Sequence, residues 1–167
     1  MVSLDDRCES LDALQIACRL AADDHARITA VTIIEVPALL PLNARFDDVE
    51  EEARRLLEQA GATGDAYGVK VVPRLVRARD FGAAIVAEAT SDRSEIIVVG
   101  TPRAELAVSP RRATPDPVLR VLKGAPCRVM VVSAPVRAAA CSVRHSSLAA
   151  ALARVPAPAC STAQSRA

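Results

Sequence analysis

Five short runs of mostly branched apolar residues punctuate this chain, and each is separated from the next by a segment with helical spacing. The runs are "MVSLD", "RITAVTIIEVP", "VKVVPRLVRA", "EIIVV" and "CRVMVV". Between the first two, Leu14, Ala17, Cys18 and Ala21 recur at the interval of one helix face, predicting a helix over 10–22. The acidic stretch "VEEEARRLLEQAG" follows the second run. Asp47 or Asp48 stands at its cap position, Glu51 and Arg55 are paired at i, i+4, and Gly68 provides a stop. "DFGAAIVAEATSD", capped by Asp80, and "PVLRVLKGA" supply two more helices. Strict alternation of strand and helix dictates an α/β fold, a five-stranded parallel sheet with helices on both faces. Pro73 cannot donate a ladder hydrogen bond, which places the third strand at a sheet edge.

Composition agrees. Hydrophobic residues make up 51% of the chain, aromatics only 2%, and there is no Trp. Such a core is built from Val, Ile, Leu and Ala, the residues of buried parallel strands. A net charge of +1 gives no reason to expect nucleic acid as a partner. No apolar run reaches the ~20 residues of a membrane span, and the polar start "MVSLDDRCES" is unlike a secretory signal. The chain therefore reads as cytosolic. Cys8, Cys18, Cys127, Cys141 and Cys160 form no C-x-x-C pair, and His25 and His145 are isolated, so no metal site is expected. Cys18 and Cys127 read as small core residues.

Residues 134–167 differ from the rest. They contain no acidic residue, four Arg, and much Ala, Ser and Pro, and are expected to be a disordered tail. Without them, 17 basic residues face 20 acidic ones, so the folded part is about −3.

In open parallel sheets, ligands bind beyond the carboxyl ends of the strands, where the strand order reverses. The first and fourth strands are natural neighbours at such a point, and their ends carry Asp5 and Gly100. A carboxylate there can accept from a ribose hydroxyl or an exocyclic amine. It can equally cap the helix that follows. Gly100 lets the chain leave its strand tightly and admits a ligand to the backbone. No Ser/His/Asp arrangement or carboxylate cluster suggests an enzyme.

Several stretches in the right order resemble the universal stress protein family. They are the opening with Asp5, Ser10, Ala13 and Leu14, then "ITAVTIIEVP", "YGVKVVPRLVRARDFGAAIVAEA", "EIIVVG" and "VLKGAPCRVMVV". The likeness covers residues 1–133 as one domain. It implies a Rossmann-like three-layer sandwich with strand order 3-2-1-4-5, and a homodimer paired through the fifth strand. It also implies a stress-response module that binds ATP or AMP, with Ser3, Asp5, Ile33 and Val99 toward adenine and ribose. Nucleotide-binding members carry Gly-x2-Gly-x9-Gly-Ser/Thr after the fourth strand. Those positions fall here on Gly100, Arg103, Ala113 and Thr114. Anchoring on "VLKGAPC" instead puts Pro115 and Asp116 at the third glycine and its neighbour. The phosphate loop is therefore degenerate, and Pro102, Pro110, Pro115 and Pro117 remove further backbone donors. Arg103, Arg111 and Arg112 could supply charge in their place. The alternative is a regulatory or structural dimerisation module without nucleotide, docking on a protein partner, as in domains attached to amino-acid transporters. The first strand begins at Met1, where family members have several more residues, so either the strand is short or the coding start is placed late.

If the tail takes no part in the fold, cutting the chain after Ser133 leaves the thermal melting temperature nearly unchanged. A large fall would show that the tail packs on the domain.

Overall fold

The computed structural model describes residues 1–102 and 117–133. The elements run β1 (Val2–Leu4), α1 (Cys8–Asp23), β2 (Ile28–Glu35), α2 (Asp47–Ala66), β3 (Val71–Ala78), α3 (Phe81–Ser91), β4 (Ile96–Gly100), α4 (Pro117–Gly124) and β5 (Arg128–Val132). The strands form one sheet in the order β3-β2-β1-β4-β5, and every pairing is parallel. The all-parallel sheet is the one expected from the alternation, and its strand order is the one the family resemblance implied. β3, with Pro73, lies at one edge and β5 at the other.

Side-chain alternation sorts the strands onto two faces. Val2, Leu4, Ile28, Ala30 and Val98 pack with α1 and with Leu57 and Ala60 of α2. Ile97 and Val99 pack on the other side with Ile85 and Ala89 of α3 and Val118 and Val121 of α4. β1 is only three residues long but is wholly buried. It is the central strand, hydrogen-bonded to β2 and β4.

Local details refine the expectations. α2 begins at Asp47, with Phe46 in the cap position and no side-chain cap, so Asp47 and Asp48 do not cap it. They lie in the first turn, where the positive end of the helix dipole favours carboxylates. The capping contact comes from Glu50, whose Oε1 accepts the Phe46 N–H at 3.4 Å. α2 runs through Gly61 and Gly64 and ends just before Gly68, whose φ of +67° reverses the chain. The Glu51–Arg55 pair forms at 3.5 Å, and Asp80 caps α3 by accepting the Ala83 N–H at 2.7 Å. Cys18 is buried as expected, whereas Cys127 is only half-buried against the α3/α4 core.

One close approach fixes how α1 lies on the sheet. A Cβ on Gly100 would come within 2.3 Å of the Glu9 carbonyl oxygen and 2.5 Å of the Ser10 nitrogen. The first turn of α1 thus rests on the backbone of β4. Gly100→Ala is expected to destabilise the fold by about 2 kcal/mol or more, because the clash is with backbone that cannot rotate away. Urea unfolding measures this, and a loss under about 0.5 kcal/mol would show that α1 lifts freely.

Candidate functional site

Asp5 is the first residue beyond β1, and Thr101 the first beyond β4. Ser3 pairs with Val31 on one side and Val99 on the other, and Gly100 pairs with Val132. Continuing this register sets Asp5 beside Thr101, and Thr101 beside Ser133. By alternation these positions share the α3/α4 face with Ser3, Val99 and Ile33. The sheet therefore brings together Ser3, Asp5, Ile33 and Val99, four of the residues singled out in the sequence. Ser3 is 5% exposed and Val99 2%, so their side chains form floor beneath the edge. Gly100 points to the opposite face, where the space beside its α-carbon is filled by α1. Its lack of a side chain is used by the protein's own packing. Arg103, Ala113 and Thr114, with Arg111 and Arg112, lie outside the described residues.

A short hydrogen-bonded turn holds Asp5. Its Oδ1 accepts the Arg7 N–H at 3.1 Å, the two-residue closure of an Asx turn. Its own N–H donates to Ser10 Oγ at 2.9 Å, and Ser10 Oγ in turn donates to the Ser3 carbonyl at 3.4 Å. Ser10, 1% exposed, thus ties the end of β1 to the first turn of α1. Asp5 does not cap α1. Arg7 occupies that cap position and makes no side-chain capping bond to the helix. The Asp5 carboxylate remains 35% exposed, with Arg7 Nε 3.6 Å from Oδ2. Burial raises its pKa above the ordinary 3.8, and the nearby Asp6 and Glu9 charges add to the rise, outweighing the Arg7 N–H bond and guanidinium charge that oppose it.

Two hydroxyls on the same row were not anticipated. Thr101 Oγ1 and Ser133 Oγ are buried and have no hydrogen-bond partner among the described residues. Thr101 is 1% exposed. Its N–H is satisfied by the Val132 carbonyl at 2.9 Å, so only the hydroxyl is left over. An unpaired buried hydroxyl is unfavourable and calls for a specific explanation; Thr32 Oγ1, on the opposite face of the sheet, is a third. The position of Thr101 and Ser133 one residue past β4 and β5, on the same parity as Ile97 and Val129, was the available signal. The start of α3 at this edge is closed: Phe81 N–H of α3 donates to Glu35 Oε1 at 2.9 Å, and Ala83 N–H to Asp80. An anion gains little there. Among the described residues no cluster of His, Cys, Asp and Glu could hold a metal ion, and no helix is long and apolar enough to cross a membrane.

The universal stress protein family model matches residues 1–133, the whole of the domain just described. The chain belongs to the universal stress protein family. Solved structures agree with this assignment. A universal stress protein family member from Burkholderia pseudomallei is 28% identical, with a TM-score of 0.61, over 80% of this chain and 93% of that one. A universal stress protein in complex with cAMP is 19% identical at a TM-score of 0.63, over 79% and 93%. One from Archaeoglobus fulgidus in complex with dAMP is 16% identical at 0.60, over 78% and 94%. The last two share the fold at low identity. No curated protein matches the chain.

In this universal stress protein the raised pKa of Asp5 has a stability consequence. A carboxyl that holds its proton more tightly when folded favours the fold below its ordinary value of 3.8, and that advantage is lost as pH rises through the raised value. The burial that raises this pKa penalises the charged form of Asp5 in the fold. Asp5→Asn keeps the Asx-turn acceptor and removes the charge, so it is expected to raise the melting temperature at pH 7. The gain should shrink as pH falls into the carboxylate range. A lower melting temperature at pH 7 would show that the Arg7 contact outweighs burial.

Proposed function

We propose that this universal stress protein is a stress-response module that binds an adenine nucleotide at the carboxyl edge of β1 and β4. The observation that carries the reading is the row of Asp5, Thr101 and Ser133. It comprises a turn-locked carboxylate whose pKa burial raises and two buried hydroxyls without partners among the described residues. In this reading Asp5 accepts from a ribose hydroxyl, while Ile33 and the floor of Ser3 and Val99 lie under the sugar and base. The hydroxyls of Thr101 and Ser133 donate to ligand oxygens. Arg103, with Arg111 and Arg112, and the Thr114 hydroxyl take the place of backbone donors that Ala113 and the prolines do not provide. A loop with two of its three glycines replaced favours a monophosphate such as AMP over ATP. The cAMP and dAMP complexes of the related structures support the same ligand class. The role proposed is binding in the cytosol, with no catalytic step.

A specific observation favours a second reading, a dimerisation module that binds no nucleotide. β5 is an edge strand whose Val129–Val132 stretch is only half-buried, and Leu119 and Leu122 of the adjoining α4 are 41% and 50% exposed. An apolar open edge suits pairing with a second copy or with another protein partner.

Calorimetric titration with AMP, cAMP and ATP separates the two readings. Saturable binding is expected, strongest for a monophosphate, and weakened about tenfold or more by Asp5→Ala, which removes a charge-assisted hydrogen bond. Silence at millimolar ligand would assign the protein to the second reading. Binding unaffected by Asp5→Ala would remove that residue from the site.

A further inference from the structure

β2 reaches further than its neighbour β1. β1 stops at Leu4, level with Thr32, while β2 runs on to Glu35, level with Ala78 of β3. The carboxyl edge is therefore stepped. β2 rises beyond the end of β1, and by alternation Ile33 and Glu35 share its α3/α4 face. Ile33 is half-buried and Glu35 exposed, and the register sets Asp5 beside Ile33 at the foot of the step.

Phe81, the first residue of α3, borders the same place. Its N–H donates to Glu35 Oε1 at 2.9 Å, and its half-buried side chain packs, like Ile33, against the core of Ile85, Ile97 and Val99. Of the three aromatic residues, Phe46 and Tyr67 stand at the ends of α2, so only Phe81 offers a ring on this face. The two carboxylates at the start of α3 are used differently. Asp80 commits both oxygens: Oδ1 accepts the Ala83 N–H at 2.7 Å, and Oδ2 meets Arg120 Nη1 at 2.9 Å, joining α3 to α4. Glu35 commits one. Among the described residues its Oε2 has no hydrogen-bond or ion-pair partner.

We propose that Ile33, Glu35 and Phe81 form the base-recognition end of the nucleotide site and select an aminopurine over an oxopurine. This deepens the nucleotide reading above and rests on it. A base placed on the step, with its sugar at Asp5, meets Ile33 and the Phe81 ring as apolar and aromatic surface, on which any purine stacks. The choice between purines falls to Glu35. A carboxylate oxygen only accepts, so it pairs with the 6-amino group of adenine and repels the 6-oxygen of hypoxanthine or guanine in the same pose. Guanine offers two neighbouring N–H donors on its other edge, but capturing both takes both carboxylate oxygens, and Phe81 already holds Oε1. A single open acceptor suits a single donor.

Calorimetric titration of the full chain with AMP and IMP, its 6-oxo counterpart, tests this. The native chain is expected to prefer AMP about tenfold or more. Glu35→Gln keeps a carbonyl oxygen for the Phe81 N–H but presents an amide N–H to the base. Its melting temperature should stay close to that of the native chain, and its preference should vanish or turn toward IMP. A residue that only capped α3 would leave the ratio of the two affinities alone. Phe81→Leu keeps the apolar contact and removes the ring, so it should weaken both nucleotides about fivefold and leave their ratio unchanged. Equal affinities in the native chain, an unchanged ratio in Glu35→Gln, or unchanged affinities in Phe81→Leu overturn the proposal and leave the nucleotide reading standing. If neither nucleotide binds at millimolar concentration, both fall.

Discussion

The seating of α1 on the end of β4 is the contact on which the rest of this site depends. Gly100 offers no side chain, so the Glu9 and Ser10 backbone comes down onto the strand. Only with the first turn of α1 that low can Ser10 Oγ bridge the Asp5 N–H and the Ser3 carbonyl. That bridge, with the Asx turn to Arg7, leaves Asp5 little freedom at the edge of the sheet. The carboxylate is thus placed by a packing contact on the opposite face of the sheet.

The edge is locally unfavourable in several ways that point to the same place. Burial opposes the charged form of Asp5, and the buried hydroxyls of Thr101 and Ser133 have no partner among the described residues. A sequence under selection for stability alone would put apolar residues at these positions. Thr32 Oγ1, on the opposite face of the sheet, is also buried without a partner among the described residues, whereas several charged groups are satisfied locally. The Asp92 carboxylate accepts from Arg27, Thr29 and Ser94, and Arg79 gathers the carbonyls of Val36, Pro37 and Leu40.

Glycine carries two different meanings in this chain. In the family motif it brings backbone donors to phosphate, and there Arg103 and Ala113 stand in its place. At Gly100 and Gly82 it lets helices approach a strand and another helix, and there it is kept. The glycines at these two positions serve the architecture of the fold.

The alternation of strands and helices, the edge position of β3 and the caps at Asp80 and Gly68 were legible in the residues, because each follows from local chemistry: hydrophobic period, a missing N–H, a side-chain acceptor, a positive φ; the strand order came from the family resemblance. Asp5 was legible as a candidate because it ends the first strand. Its role was not, since an Asx turn and a helix cap need the same residue type, and Asp47 and Asp48 were misjudged as caps for the same reason. Thr101 and Ser133 were missed, because a hydroxyl becomes informative only once burial shows that it has no partner. By itself the sequence determined the five-stranded α/β fold and its family, through patterns that neighbours along the chain enforce. The tertiary structure alone decided which side chains share the carboxyl edge, that Gly100 is occupied by α1, and that Asp80 joins α3 to α4. Those facts depend on parallel register and on helix-to-strand distances between residues far apart in the chain.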